Sequence, residues 1–282
     1  MKQPGRLYLV ATPIGNLDDM TYRAVAVLKE VDLIAAEDTR HSQKLLRYYD
    51  ITTSTLSLHE FNEKARSAEL IKRLQAGTDI ALISDAGTPL ISDPGYRLVE
   101  AAHRASIQVI PIPGACAAIA GLVASGLPTD QFVFAGFLPA KGAVRKKRLE
   151  EFINESRTLI FYESVHRIVN LIALLNDVFG GDRLATVARE LTKTFETIHQ
   201  SKLSDLKTWF EEDSNQSKGE FVVIVQGASK KIEKSQEENK RLLEILLAEL
   251  PLKQAVSLAI QITGESRKPL YSLALEIQKN AR

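Results

Sequence analysis

The sequence predicts an α/β protein made of two α/β domains and a small helical unit at its carboxyl-terminal end. In the first half, short apolar runs alternate with amphipathic helical patterns, which is typical of a doubly wound parallel sheet. In the second half, the later strand patterns follow one another with little helix between them, which indicates a mixed sheet. The chain ends in three amphipathic patterns. We therefore divide it into residues 1–114, 115–228 and 229–282.

The first half contains five strand patterns, most of them followed by a helical pattern. Strands are predicted at residues 6–11, 31–36, 52–58, 79–83 and 108–112, and helices at 41–49, 62–75 and 96–105. A further helix is predicted to begin at a cap formed by Asp18 or Asp19 and to run through Leu28. Tyr22, Val25 and Leu28 would share its buried face.

The second half contains strand patterns at residues 132–136, 158–162, 184–188, 197–200 and 221–225. Residues 115–124 are rich in Ala and Gly, which suits a helix that packs closely against its neighbour. Residues 229–240 are a polar linker or an exposed helix start. Tail helices are predicted at 242–250, 251–262 and 269–279, and the turn at Gly264 resembles a helix-turn-helix. A packing or dimerisation bundle is the alternative.

The loop at residues 84–95 stands out, because eight of its twelve residues are Gly, Pro, Ser or Asp. Loops between a strand and a helix usually span about two to six residues, and open α/β sheets bind ligands at the carboxyl ends of their strands. We therefore predict a ligand loop, in which Asp85, Thr88 and Asp93 supply hydrogen-bond acceptors. A well-capped turn is the alternative. The chain lacks the GxGxxG and GxxxxGK[ST] fingerprints, so the loop is not expected to bind a pyrophosphate.

Composition and charge restrict the function classes. The net charge of +1 gives the whole protein no strong attraction for polyanions, and the single cysteine, Cys116, excludes an internal disulfide and a cysteine-based zinc site. No metal-ligand spacing, signal peptide or membrane-spanning run is present, so a cytoplasmic protein is expected. Residues 141–148 carry five basic side chains and no acidic one, which indicates a solvated face or a contact to RNA backbone.

Seven polar clusters each follow a predicted strand, and strand ends at one edge of a parallel sheet converge in space. These clusters could therefore line one cleft. They lie at residues 13–16, 37–40, 59–63, 84–93, 113–117, 163–167 and 189–193. Other roles are open for individual members: Asp38 and Arg40 could form a structural ion pair, His59 could be solvated, and Cys116 could be a small packing residue.

Six segments, in this order, resemble the tetrapyrrole methylase superfamily of S-adenosylmethionine-dependent methyltransferases, and within it the ribosomal RNA branch. The resemblance covers about residues 6–226 and is carried by VATPIGNLDD, AAEDTRHSQKLL, SDAGTPLISDPG, FYESVHR, ARELTKTFET and GEFVVIV. Two departures lie beside the expected cofactor pocket. Ala115 and Cys116 replace the family's Pro-Ser pair, and Val165 replaces its proline.

The resemblance implies two α/β domains with S-adenosylmethionine in the cleft between them, a homodimer, and the small ribosomal subunit or its rRNA as partner. It implies no metal and no membrane. The implied cofactor contacts are Asp85, Gly87, Thr88, Ile91, Ala115, Cys116, Tyr162 and Leu191. The expected RNA contacts are Lys141, Arg145, Lys146, Lys147, Arg148, Arg167 and Lys193.

The implied reaction is methylation of the ribose 2′-oxygen of a cytidine, which needs orientation of the hydroxyl and removal of its proton. The candidate catalytic residues are Arg40, His59, Asp38 and Glu60, with Glu163 as a further candidate base. Two other functions compete with this one. One is carbon methylation of a corrin or porphyrin precursor, and the other is a non-catalytic RNA-binding factor in ribosome assembly.

Overall fold

The computed structural model describes residues 3–228 and 232–280. Contacts divide the chain into residues 1–227, which contain two β-sheets, and residues 228–282, which are helical where described. The predicted α/β class with a helical carboxyl-terminal region is therefore confirmed. The finer division at residue 114 stays a prediction.

The first sheet is fully parallel, with strand order β3-β2-β4-β1-β5. Its strands are β1 (Leu7–Val10), β2 (Leu33–Ala36), β3 (Thr55–Ser57), β4 (Ile80–Ile83) and β5 (Val109–Ile112). Helices α1 (Tyr22–Glu30) and α2 (Thr39–Tyr48) cover one face, and α3 (Glu63–Gln75) and α4 (Tyr96–Arg104) cover the other. In β4, Ala81 and Ile83 face the first helix pair while Ile80 and Leu82 face the second. The strand is buried on both faces, which explains its continuous apolar run.

Helix α1 begins later than predicted, so its buried face differs. Asn16 caps a 3-10 turn at Leu17–Asp19, and Thr21 then caps α1 by accepting a hydrogen bond from the Ala24 N–H at 3.2 Å. The prediction that Asp18 or Asp19 is the cap is wrong. Ala24 and Leu28 form the buried face, whereas Tyr22 is 98% exposed.

The second sheet is mixed, as predicted, with strand order β6-β7-β10-β8-β9. Its strands are β6 (Phe132–Phe137), β7 (Thr158–Glu163), β8 (Leu184–Arg189), β9 (Thr197–Lys202) and β10 (Phe221–Val225). β6 and β7 are parallel, and β10 lies between β7 and β8 antiparallel to both. β6, β7 and β8 therefore run in one direction, and their carboxyl ends share one edge.

Four helices accompany the second sheet: α5 (Ala117–Ala124), α6 (Gly142–Glu150), α7 (Ile168–Phe179) and α8 (Leu203–Glu212). Helix α5 is the Ala/Gly-rich segment, and it packs on β10. A Cβ added at Gly121 would lie 3.2 Å from a side-chain carbon of Val222. This close approach accounts for the small residues of the helix.

The tail contains helices α9 (Ile232–Glu249), α10 (Leu252–Thr263) and α11 (Arg267–Asn280). Leu243, Val256, Ala259, Leu270 and Ala274 form its buried core. Gly264 ends α10 in the left-handed conformation, with φ of +69°. Helix α9 begins at Ile232, ahead of the predicted residue 242, while the start of the predicted linker at residues 229–231 lies outside the described residues. In the described ranges, every helix is too short or too polar to cross a membrane.

Candidate active site

A cavity of about 350 Å³ lies where the carboxyl ends of strands from both sheets meet. Loops after β1, β2 and β4 contribute to it from the first sheet, and segments at the ends of β6, β7 and β8 contribute from the second. Seven of the eight predicted cofactor contacts line this cavity: Asp85, Gly87, Thr88, Ile91, Cys116, Tyr162 and Leu191. Ala115 is not on its wall, but the Ala115 carbonyl accepts a hydrogen bond from the Thr88 hydroxyl at 3.0 Å.

Hydrogen bonds to the end of β1 hold the loop at residues 84–95 in place. Thr12 and Gly87 exchange two backbone hydrogen bonds of 2.9 and 3.0 Å, and the Thr12 hydroxyl donates to the Ser84 carbonyl at 3.2 Å. Gly87 has a φ of +82°, which suits glycine. Leu90 and Ser92 also have positive φ, at +72° each. Such strained residues cluster at ligand sites, where the surrounding structure enforces them.

Five carboxyl side chains line the cavity: Glu37, Asp85, Asp93, Glu163 and Glu220. Glu163 pairs with two arginines and Glu220 pairs with Lys193, so Glu37, Asp85 and Asp93 are the ones considered for a ligand. The Asp85 carboxylate accepts a hydrogen bond from the Asp38 backbone N–H at 3.2 Å. Burial and the nearby charge of Glu37 raise the pKa of Asp93 to about 6, and burial followed by the charge of Asp85 raises the pKa of Glu37. Because like charges oppose one another here, the cavity is suited to a ligand that carries positive charge.

The opposite wall is mainly apolar and aromatic. The Tyr162 hydroxyl accepts a hydrogen bond from the Ala118 N–H at 2.9 Å, and burial raises the pKa of the phenol. Phe134 and Phe137 both contact the Tyr162 ring edge-on, with centroids 5.0 and 5.5 Å away. An apolar wall facing polar groups is the usual make-up of a small-molecule site, and cavities of about 300–1,000 Å³ hold such ligands.

The candidate catalytic residues Asp38, Arg40, His59 and Glu60 do not line the cavity. Asp38 caps helix α2 by accepting the Arg40 N–H at 2.8 Å, and it also pairs with the Arg40 guanidinium at 3.3 Å. These hydrogen bonds lower the pKa of Asp38, which weakens it as a base. The structural ion pair that the sequence left open is therefore present.

His59 lies in the turn after β3 and is fixed by Asn62. The Asn62 amide oxygen accepts a hydrogen bond from the backbone N–H of His59 at 2.9 Å. The Asn62 amide nitrogen lies 3.1 Å from Nε2 of the His59 ring. Since this amide nitrogen can only donate, Nε2 accepts, and the proton of a neutral imidazole is on Nδ1. Glu60, beside His59, is exposed.

The predicted RNA contacts divide into exposed and internally paired side chains. Arg145 is buried and its guanidinium pairs with Glu163, so the prediction that it contacts RNA is wrong. Arg167 also pairs with Glu163, at 3.2 Å, and Lys193 pairs with Glu190 and Glu220 at 2.9 and 2.8 Å. The exposed members of this set are Lys141, Lys146, Lys147 and Arg148.

Glu37 and Phe137 line the cavity but are absent from the site residues predicted from sequence, whereas Asp93 was predicted only as a hydrogen-bond acceptor of the ligand loop. Glu37 and Asp93 belong to the polar clusters predicted at strand ends, and the position of those clusters directly after a strand was the sequence feature that could have identified both as cavity residues. Phe137 extends β6 by one residue beyond the predicted strand end. Among residues 3–228 and 232–280, His, Cys, Asp and Glu side chains form no group of three or more that could hold a metal.

Gly15 lies in the loop after β1, where that loop packs closely against the loop after β8. A Cβ at this position would lie 2.5 Å from Lys193 Cγ and 3.0 Å from the Leu191 carbonyl oxygen. We expect Gly15→Ala to lower the free energy of unfolding by about 1–3 kcal/mol, because backbone on one side cannot yield cheaply. Urea denaturation measures this loss.

Gly142→Ala is the matched control for Gly15→Ala, since nothing lies within 4 Å of the added Cβ. An equal loss of unfolding free energy in the two variants would contradict the close approach as its cause.

Comparison with known proteins identifies relatives of the whole chain. The family model for tetrapyrrole (corrin/porphyrin) methylases matches residues 6–207, and the model for the RsmI C-terminal HTH domain matches residues 233–278. The chain is 54% identical to ribosomal RNA small subunit methyltransferase I from Pseudomonas aeruginosa over 97% of this chain and 98% of that protein. It is 50% identical to the protein of the same name from Escherichia coli O157:H7, over 97% and 96%.

Solved structures with lower identity support the fold. Uroporphyrin-III-C-methyltransferase from Thermus thermophilus superimposes with a TM-score of 0.55 at 20% identity, covering 79% of this chain and 94% of that one. The family matches, the two whole-length relatives and the arrangement of both sheets around one cavity lead to the same conclusion. The chain belongs to the tetrapyrrole methylase family.

Proposed function

We propose that the protein transfers a methyl group from S-adenosylmethionine to the ribose 2′-oxygen of a cytidine in small-subunit ribosomal RNA. The observation that carries this proposal is the acidic cavity at the strand ends, in a chain about half identical over its whole length to small-subunit rRNA methyltransferases. The shared name of those relatives supports the RNA substrate. The implied homodimer, the helix-turn-helix contact to RNA and the cytoplasmic location belong to the same proposal.

The cavity residues fit S-adenosylmethionine in charge and polarity. Asp85, Glu37 and Asp93 complement its sulfonium and ammonium groups, and Tyr162 and Leu191 offer apolar surface to its adenosine. Gly87, Thr88, Ile91, Ala115 and Cys116 complete the proposed cofactor site. The cofactor has no phosphate, in agreement with the missing phosphate fingerprints. It supplies a methyl group already activated by positive sulfur.

The chain must orient the ribose hydroxyl in line with that methyl group and remove its proton. Orientation alone can contribute about 7–11 kcal/mol to lowering the barrier. Arg40 has a 91% exposed side chain in the first turn of α2, which follows β2, and β3 with the His59 turn is the strand next to β2. We place Arg40 and His59 beside the substrate ribose and its phosphates, where a cation also favours the alkoxide. Turnover equal to wild type in both Arg40→Ala and His59→Ala would contradict this placement.

We expect Asp85→Ala to weaken S-adenosylmethionine binding by about 10-fold or more, because a charged partner is lost from a desolvated site. Thr88→Ala should weaken binding less, since Thr88 acts through its hydrogen bond to the Ala115 carbonyl. Calorimetry gives both affinities. Asp130→Ala removes an exposed carboxylate that is not on the cavity wall and is the control. Unchanged affinity in Asp85→Ala would remove the loop at residues 84–95 from the site.

The experiment that tests the function is transfer of labelled methyl from S-adenosylmethionine to three substrates side by side. These are unmodified small ribosomal subunits, naked small-subunit rRNA and uroporphyrinogen. We expect label in the subunits or the rRNA, located at a ribose 2′-oxygen of a cytidine. Label only in uroporphyrinogen would overturn the RNA assignment, and binding of subunits without transfer would indicate an assembly factor.

A further inference from the structure

Phe137 lies at the entrance of the cavity, where its ring is available to a ligand. It lines the cavity wall and is nevertheless 55% exposed. Exposure of a large aromatic ring gives up the stabilisation that burial would provide. The ring is held by its edge-on contact with Tyr162, which leaves much of its surface in solvent.

A β-bulge directs Phe137 towards the cavity. Phe134 pairs with Ile160 and Gly136 pairs with Phe161, so Ala135 is left out of register. Ala135 packs against the core on the α7 side of the sheet, and regular alternation would place Phe137 on that same side. The bulge, with Gly136 at φ of +61°, instead brings Phe137 to Tyr162 on the cavity side. Bulges next to active sites commonly redirect one side chain in this way.

Arg167 fixes the loop at residues 138–141, which follows Phe137 at the end of β6. The Arg167 guanidinium donates hydrogen bonds to the Leu138 carbonyl at 2.6 Å and to the Pro139 carbonyl at 3.3 Å. Arg167 is in turn paired with buried Glu163, which also holds Arg145 of the following helix α6. A ring presented on a preorganised loop loses little conformational entropy when a ligand stacks on it.

Helix α6, which follows this loop, presents positive charge to solvent. Arg145 points inward to Glu163, while Lys146, Lys147 and Arg148 are exposed. An exposed aromatic ring with exposed cations on the helix that follows it is a combination that suits single-stranded nucleic acid, through base stacking and phosphate contacts. Lys146 and Lys147 are free for this role in the described structure, whereas Arg148 pairs with Glu151.

We propose that the base of the nucleotide being methylated stacks on Phe137, and that its flanking phosphates contact Lys146 and Lys147. The proposal rests on the RNA methylation proposed above and assigns Phe137 as a positioning residue. Stacking on the redirected ring holds the base at the entrance, so the attached ribose reaches into the cavity. This also gives Glu163 and Arg167 a function, because together they fix the loop that carries the ring.

The test compares Phe137→Leu with Phe137→Tyr. Leu keeps an apolar side chain but removes the ring, whereas Tyr keeps the ring. The assay uses unmodified small subunits and labelled S-adenosylmethionine. We expect Phe137→Leu to lower kcat/KM for the subunits about 10-fold or more, mainly through KM. We expect Phe137→Tyr to keep most of the wild-type kcat/KM. Tyr22→Leu is the control, because Tyr22 is an even more exposed aromatic that does not line the cavity.

Binding measurements separate this proposal from the proposed function. Fluorescence anisotropy with a labelled single-stranded RNA should show weaker binding by Phe137→Leu, even if no wild-type methyl transfer is detected. Lys146→Gln combined with Lys147→Gln should make the salt dependence of that binding shallower, by about 0.7 in slope for each phosphate that is no longer neutralised. Weaker S-adenosylmethionine binding by Phe137→Leu with unchanged RNA binding would overturn the proposal and assign the ring to the cofactor. Equal behaviour of the Leu and Tyr variants would overturn it as well.

Discussion

Replacing Glu163 with Gln is expected to lower the free energy of unfolding by about 3–5 kcal/mol, the usual cost of leaving a buried charge without its partner. The Glu163 side chain is fully buried and that of Arg145 is 6% exposed. Burial lowers the pKa of Arg145, and the charge of Glu163 opposes that shift. Because Arg167 also pairs with Glu163 at 3.2 Å, the substitution removes the common partner of two guanidinium groups.

Glu151→Gln is the matched control, since Glu151 pairs with Arg148 immediately after the same helix. Both of these side chains are about half exposed, and exposed pairs contribute about 0–1 kcal/mol. Urea denaturation of both variants measures the difference. Equal losses would show that the Glu163 pair has no special stabilising role. A large loss of unfolding free energy in Glu163→Gln alone would show that burial of the Glu163 pair is the cause.

The role of Arg145 shows where sequence reasoning ends. In the sequence it is one of five basic residues in a run without an acid, which predicts exposure. Its partner Glu163 is 18 residues away on β7, so the pair forms only when α6 packs against the sheet. By contrast, β2 and β4 of the first sheet were predictable, because burial on both faces leaves a continuous apolar run in each.

The start of helix α1 was ambiguous for a local reason. Asn16, Asp18, Asp19 and Thr21 are all residue types that cap helices, and they stand within six positions. The structure uses Asn16 for a 3-10 turn and Thr21 for the helix itself. Which of these residues caps the helix depends on which helix residues pack against the sheet, here Ala24 and Leu28. That packing is tertiary and cannot be read from the local sequence.

The loop at residues 84–95, which lines the cavity, was predictable because its turn residues and length are local properties of the sequence. Phe137 was not, since it reaches the cavity through a bulge that shifts the register between β6 and β7. The sequence signal was a glycine, Gly136, near the end of the strand, and an isolated glycine in a strand suggests such a bulge. The side of the sheet on which the Phe137 ring lies depends on the register between β6 and β7, and a glycine alone does not specify that register.

Raising the pH from 5 to 7.5 is expected to tighten S-adenosylmethionine binding about tenfold, while binding of S-adenosylhomocysteine changes much less. In the free protein the pKa of Asp93 is about 6, so the carboxyl is mostly protonated at pH 5 and ionised at pH 7.5. Burial, Glu37 and Asp85 raise this pKa, and a hydrogen bond with Ser84 lowers it. A bound sulfonium favours the ionised form, whereas the neutral sulfur of the product does not.

The same ionisation has the opposite effect on the stability of the free protein. The pKa of Asp93 rises from an ordinary 3.8 to about 6 on folding, so the folded state binds the proton more tightly than the unfolded state. This stabilisation is present at low pH and is lost as the pH rises from about 4 to about 6. Asp93→Asn should therefore raise the free energy of unfolding at pH 7.5 by about 2 kcal/mol, which allows for partial solvent screening, and change it little at pH 4.

Calorimetry at pH 5 and 7.5, with both ligands and with wild type and Asp93→Asn, tests both effects of Asp93 ionisation. The variant should lose the pH dependence of S-adenosylmethionine binding and should gain stability at the higher pH. A similar pH dependence for both ligands would show that Asp93 does not face the sulfonium. Weaker binding together with higher stability in Asp93→Asn would show why the cavity keeps Glu37, Asp85 and Asp93 although these carboxylates repel one another. Their mutual repulsion costs stability in the free protein, and the positive charge of the cofactor relieves it on binding.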